Sequence, residues 1–160
     1  RDITAMTKIL FVCHGSICRS PMAEFIMKVL VAKAGLAAQF SIDSAATSRE
    51  EIGNPIYPLA QEMLSAHGIT GAIHHARQMM NEDYQNYDFL IGMDQQNLKN
   101  MQKNCAGDPS AKISLLLDYT AHSGNIADPW YTGDFETAWQ DIYAGCAGLL
   151  EKLTQTKNEH

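Results

Sequence analysis

The apolar positions of this chain fall into short runs separated by turn residues, and the first run is the most informative. Ile9, Leu10, Phe11, Val12 and Cys13 follow one another without a polar break, which suits a strand buried on both faces. The run gives way to His14-Gly15-Ser16-Ile17-Cys18, after which Pro21 and Glu24 suit the first turn of a helix. Over 21–34, Met22, Ile26, Val29 and Leu30 share one stripe, and Gly35 supplies a stop. Phe40, Ile42, Ala45 and Ala46 predict a second strand that ends in the small-residue turn Ser44 to Ser48. Gly53-Asn54-Pro55 marks a loop before a helix from about Tyr57 to His67, closed by Gly68.

The pattern is weakest over 71–80, where Ala76-Arg77-Gln78 lies in a connection. Asn81 is placed to cap a short helix through Tyr87, and Phe89-Leu90-Ile91-Gly92-Met93 reads as a third strand. Asp94 is the expected N-cap of a helix over Gln95 to Lys103. Ile113 to Leu117 predicts a fourth strand, followed by a long loop over 118–134. In the last element Phe135, Trp139, Ile142, Cys146, Leu149 and Leu153 recur at helical spacing. Strands alternating with helices imply an α/β fold of parallel β-α units with right-handed crossovers, and so a sheet with helices on both faces. Ligands of such sheets bind beyond the carboxyl ends of the strands, where Cys13 falls.

Composition narrows the function. The 160 residues suit one domain, and 46% hydrophobic with 19% charged residues is ordinary for a globular chain. No apolar run approaches the ~20 residues of a membrane span. A net charge of -6 argues against a nucleic-acid binder. Residues 1–5 precede a Met6 that reads as a natural start and are taken as a cloning remnant, while 155–160 form a polar tail. That leaves a single domain over 6–154. Four cysteines, two of them in one loop, fit a reducing cytoplasm better than a disulfide scaffold. His74-His75 has no metal-ligand spacing to other donors, and neither metal nor cofactor is expected.

The loop after the first strand opens onto a helix N-terminus, where unpaired backbone N–H groups and the helix dipole make an anion site. Cys13 and Arg19 bracket that site. A cysteine near a helix N-terminus and a cation is set up as a thiolate nucleophile, and a guanidinium can hold two oxygens of a tetrahedral oxyanion. Phosphate is the obvious occupant. Displacement at phosphorus by sulfur gives a phosphocysteine and a leaving group that needs a proton. Asp128, on the long loop and stiffened by Pro129, is the candidate acid.

With Cys-x5-Arg-Ser over Cys13 to Ser20 and Asp128-Pro129 far downstream, the chain resembles the low-molecular-weight protein tyrosine phosphatases. The likeness spans Met6 to Thr154 and includes Asp43 to Ser48, Ile52 to Pro55, Ala76-Arg77-Gln78, Met93-Asp94 and Asp134-Phe135-Glu136. It implies a three-layer fold with a four-stranded parallel sheet in the order 2-1-3-4, the phosphatase I-like Rossmannoid fold. It also implies that Cys13 is the nucleophile, Arg19 the transition-state clamp and Asp128 the acid and then the base. His14, Gly15, Ser16, Ile17 and Cys18 would complete the phosphate loop. Ser20 would donate its hydroxyl to the thiolate, with Ser44 and His74 bracing the loop from behind. Cys18 matches the family's second loop cysteine, which forms a reversible disulfide with the nucleophile.

One departure stands out: Ser16 occupies a position where the family usually has Asn, a residue that tolerates left-handed backbone. Phosphoarginine-selective relatives carry Thr at the position of Ile17, so Ile17 favours phosphotyrosine. Trp130 and Tyr131 would wall the pocket and stack on a phenyl ring, while Glu50 stands at a rim position often aromatic in the family. The expected partner is therefore a phosphotyrosine-containing protein or peptide, with inorganic phosphate as product. Three rivals are a phosphoarginine phosphatase, a thiol-dependent arsenate reductase, which needs two further cysteines on one segment, and a silent phosphate-binding module, which would have lost one of Cys13, Arg19 and Asp128.

Overall fold

In the computed structural model, which describes residues 6–158, β1 (Thr7–Cys13) lies inside a four-stranded parallel sheet ordered β2-β1-β3-β4. β2 (Phe40–Ala46) pairs with it from Thr7 opposite Phe40 to Cys13 opposite Ala46. β3 (Phe89–Gly92) flanks the other side, and β4 (Ile113–Leu115) pairs with β3 at the far edge. The unbroken apolar run of β1 follows from this central place, because both faces of the strand are covered. Ile9, Phe11 and Cys13 enter the larger core, shared with α1 (Arg19–Lys33), α2 (Pro58–Ala66) and α6 (Phe135–Asn158). Leu10 and Val12 enter a smaller core on the opposite face with Tyr84 of α3 (Asp83–Asn86) and Met101 of α4 (Gln95–Asn104). The expected three layers and strand order are therefore present. Among the described residues, no helix is long and apolar enough to cross a membrane.

Several boundaries differ from the sequence pattern. Helix α1 starts at Arg19 rather than Pro21, which makes Arg19 and Ser20 part of its first turn. Its buried positions are not a narrow stripe: Val29 and Leu30 are only partly covered, while Met22, Ala23, Ile26, Met27 and Val31 are buried because the helix is wedged between β2 and α6. The short helix begins at Asp83, not at an Asn81 cap, since the Asp83 carboxylate accepts the Met80 N–H at 2.8 Å and pairs with both terminal nitrogens of Arg77. The unreadable stretch before it runs beside the end of β2, with Ala46 N donating to Arg77 O and Met79 N to Ala46 O. β4 stops at Leu115 because the Asp118 carboxylate accepts the Leu115 N–H at 3.0 Å and turns the chain into a single 3-10 turn over Leu116–Tyr119.

The loop over 118–134 is likewise broken by this turn and by α5 (Pro129–Thr132). α6 continues through the expected tail as far as Asn158; residues 1–5 and 159–160 lie outside the described residues. The final helix packs hard against the turn after β4. A Cβ added at Gly148 would fall 1.9 Å from the Tyr119 carbonyl oxygen, so only glycine permits this approach.

Candidate active site

The end of β1, the first turn of α1 and the segment entering α5 converge on one cleft of about 280 Å³. It is lined by every residue from Cys13 to Arg19, with Glu50, Glu51, Asp128, Trp130 and Tyr131. All the residues expected in the loop and on the pocket walls are thus brought together, and Ser20, Ser44 and His74 stand behind them.

Cys13 is 3% exposed at the floor of the cleft. The backbone N–H groups of Ser16 and Ser20 donate to its sulfur at 3.3 and 3.4 Å, and the thiol donates to Ser20 Oγ at 3.3 Å. The Ser20 donor is available because Arg19 and Ser20 open α1, where N–H groups have no intrahelical acceptor, and the Ser16 donor comes from the loop before the helix. Ser16 adopts the left-handed backbone that the loop needs there, with φ 57°. Its hydroxyl accepts from Ser20 Oγ at 2.9 Å and lies 3.0 Å from His74 Nε2. Ser44 Oγ sits 3.4 Å from the His74 ring and donates to Glu24 Oε1 at 2.6 Å, while Lys28 Nζ donates to the other Glu24 oxygen. Burial pushes His74 below the ordinary imidazole range, against the opposing pull of Glu24. A neutral ring tied to Ser16 therefore braces the loop.

Arg19 is buried under the same loop. Its Nη1 donates to Asp94 Oδ2 at 2.7 Å and to the Ile126 carbonyl at 2.8 Å, and Nη2 reaches Asp128 Oδ2 at 3.4 Å. Burial works against its charge, but Cys13, Asp128 and Asp94 outweigh that cost and hold the guanidinium above its ordinary value. Asp94 has a second task, as expected: its Oδ1 accepts the Asn97 N–H at 2.8 Å and caps α4. Asp128 caps α5 through Trp130 N at 3.0 Å, which leaves its other oxygen toward Arg19. Trp130 and Tyr131 are 51% and 79% exposed, and the Trp130 ring rests edge-on against Tyr57 at 4.8 Å.

Cys18 is a different kind of sulfur. Burial first, and then the negative charge of Cys13 and Asp128, pushes its thiol well up, so it stays protonated at neutral pH. Cys105 packs in the smaller core across the sheet from Cys13, whereas Cys146 is enclosed in the larger one and donates to Ala23 O. The two are therefore not paired for a thiol relay.

Sequence reasoning did not assign site roles to Asp94, the Ile126 carbonyl, Glu24, Glu51 or Tyr57. Glu24 carried a signal, since an acid inside the apolar stretch from Pro21 to Met27 is costly to bury unless partnered. The Ile126 carbonyl carried none, because a backbone acceptor leaves no mark in the sequence.

A thiol held by backbone donors beside a buried guanidinium, at the carboxyl end of a doubly covered parallel sheet, defines a cysteine-based oxyanion site. Residues 8–159 match the family model described as low molecular weight phosphotyrosine protein phosphatase, and the chain belongs to that family. It is similar to the low molecular weight protein-tyrosine-phosphatase YfkJ of Bacillus subtilis, 40% identical over 95% of this chain and 99% of the relative. The crystal structure of YfkJ superposes with a TM-score of 0.91, covering 98% of this chain and 99% of that one at 38% identity. The human low molecular weight phosphotyrosine protein phosphatase is 40% identical over 92% of this chain and 96% of its own. A Drosophila arginine phosphatase structure is also similar, with a TM-score of 0.81 and 32% identity over 92% of this chain and 98% of that one.

Proposed function

We propose that this chain hydrolyses phosphotyrosine monoesters in proteins or peptides, acting in the cytoplasm as a single domain over 6–154 and releasing inorganic phosphate. Nucleic acid has no place in this reading. The observation that carries it is the convergence on Cys13 Sγ of two backbone N–H donors and the Ser20 hydroxyl, with Arg19 and Asp128 at the same cleft. The loop N–H groups and Arg19 receive the phosphoryl oxygens. The Cys13 thiolate attacks phosphorus, forming S–P as the P–O bond to the tyrosine ring breaks; the Ser20 hydroxyl, which accepts from the neutral thiol, turns to donate to the sulfur once the thiol has lost its proton. Asp128 gives its proton to the departing phenolic oxygen. It then takes a proton from the water that attacks phosphorus, which breaks S–P and regenerates the thiolate.

Phosphotyrosine is favoured over phosphoarginine by the aromatic wall of Trp130 and Tyr131, braced by Tyr57, and by the branched apolar Ile17 in the loop. The test compares aryl phosphates of different leaving groups in wild type and Asp128→Asn. Turnover of phenyl phosphate or phosphotyrosine should fall by roughly 100- to 10,000-fold, the usual range for general acid catalysis. Turnover of a very acidic nitrophenol ester should fall far less. Equal losses across the series would remove Asp128 from the proton-donor role.

A further inference from the structure

The two walls of the cleft differ in chemistry. One is aromatic, formed by Trp130 and Tyr131; the other carries Glu50 and Glu51, on the turn that follows β2. Glu50 is 68% exposed and pairs through Oε2 with His14 Nε2. Glu51 is held by Asn54, whose Nδ2 donates to its Oε2 at 2.8 Å, and it packs so close to Gly15 that a Cβ there would come within 3.2 Å of its Cγ. Its charge is felt as far inside the loop as Cys18.

Among the described residues lining the cleft, Arg19 is the one permanent cation, and it is buried facing Asp94 and Asp128. Arg49, adjacent on the turn, is exposed but does not line the cleft. The mouth therefore carries two carboxylates against a single histidine. An incoming peptide that adds acidic residues to its phosphoryl dianion meets repulsion there, whereas one bearing lysine or arginine meets attraction.

We propose that Glu50 and Glu51 are specificity determinants that select phosphotyrosine flanked by basic residues. This rests on the phosphotyrosine phosphatase reading above. The exposed position of Glu50 makes the preference one of encounter and binding, so it acts on kcat/KM and weakens with salt.

The test uses the whole chain with three phosphotyrosine peptides that differ only in carrying Lys, Gln or Glu on both sides of the phosphotyrosine. Para-nitrophenyl phosphate, which has no flanks, is the reference. At low ionic strength kcat/KM should rank Lys above Gln above Glu. The Lys-to-Glu ratio should be about fivefold to tenfold, as expected for a pair of exposed charge contacts. Raising NaCl from about 0.02 M to about 0.5 M should shrink that ratio, because the Debye length falls below the spacing of the charges. In the Glu50→Gln, Glu51→Gln double variant the ratio should approach one. A wild-type ratio at or below one, with nitrophenyl phosphate still hydrolysed, would overturn this inference alone. An unchanged ratio in the double variant would take the role from these two residues. Loss of turnover on every substrate would instead overturn the phosphatase reading, and this inference with it. The salt dependence in wild type needs no variant, so it stands even if the double variant folds poorly.

Discussion

Asp94 Oδ2 lies 2.7 Å from Arg19 Nη1, and the two residues are 75 positions apart in the chain. The same carboxylate caps α4, so the end of β3 fixes both a helix and the guanidinium of the oxyanion loop. A hydrogen bond to a charged group is typically worth ~1.5–3 kcal/mol. Asp94→Asn keeps an N-cap but removes the charge, and kcat/KM should fall by about tenfold to a hundredfold with little loss of stability. Asp94→Ala should lose about 1 kcal/mol of stability as well, for want of the cap. Steady-state kinetics beside denaturant unfolding of both variants separates the two tasks.

Ser16 gives a second prediction. Its left-handed backbone is one that Asn adopts more readily than Ser. Ser16→Asn should therefore leave kcat unchanged or raise it. Ser16→Ala takes the acceptor from Ser20 Oγ and the partner from His74, and should cost ~1–3 kcal/mol because buried polar groups are left unsatisfied. A collapse of turnover in Ser16→Asn would contradict this account of the loop.

His74 predicts a pH dependence of stability. Burial lowers its folded-state value below the 6.5 of free imidazole, so the unfolded chain takes up this proton first as pH falls. The contribution of the neutral ring is complete above about pH 6.5 and declines below it. Urea midpoints at pH 7.5 and pH 5.5 should therefore differ more in wild type than in His74→Gln, which has no proton to gain.

Gly148 tests the packing that places the segment after β4. Alanine there is forced against the Tyr119 carbonyl, an overpacking cost of ~1–3 kcal/mol that its better helix propensity offsets only in part. The melting temperature should drop by a few degrees, at roughly 2–4 °C per kcal/mol for a domain of this size.

Much of this was legible in the sequence where local chemistry decides. The unbroken run of β1, the spacing along α6, the Asp94 cap and the pairing of Cys13 with Arg19 across a helix start are all local signals. What was hidden depends on which partner a polar side chain finds, whether far along the chain or a few residues away. Arg19 enters α1 early because its side chain is anchored by Asp94 and the Ile126 carbonyl, neither of them near it in sequence. Asp118 ended β4 by turning back on Leu115, and Asp83 displaced Asn81 at the short helix by pairing with Arg77. Glu24 could be buried only because Ser44 and His74 meet it from other parts of the chain while Lys28 pairs with it one turn along α1.

The central claim is that Cys13 carries the phosphoryl group during turnover. Wild-type enzyme mixed with an aryl phosphate, quenched in acid within the first turnover and mapped by mass spectrometry should show one phosphoryl group on the peptide holding Cys13, and Cys13→Ser should show no turnover. Phosphate on another residue, or undiminished hydrolysis by Cys13→Ser, would contradict it.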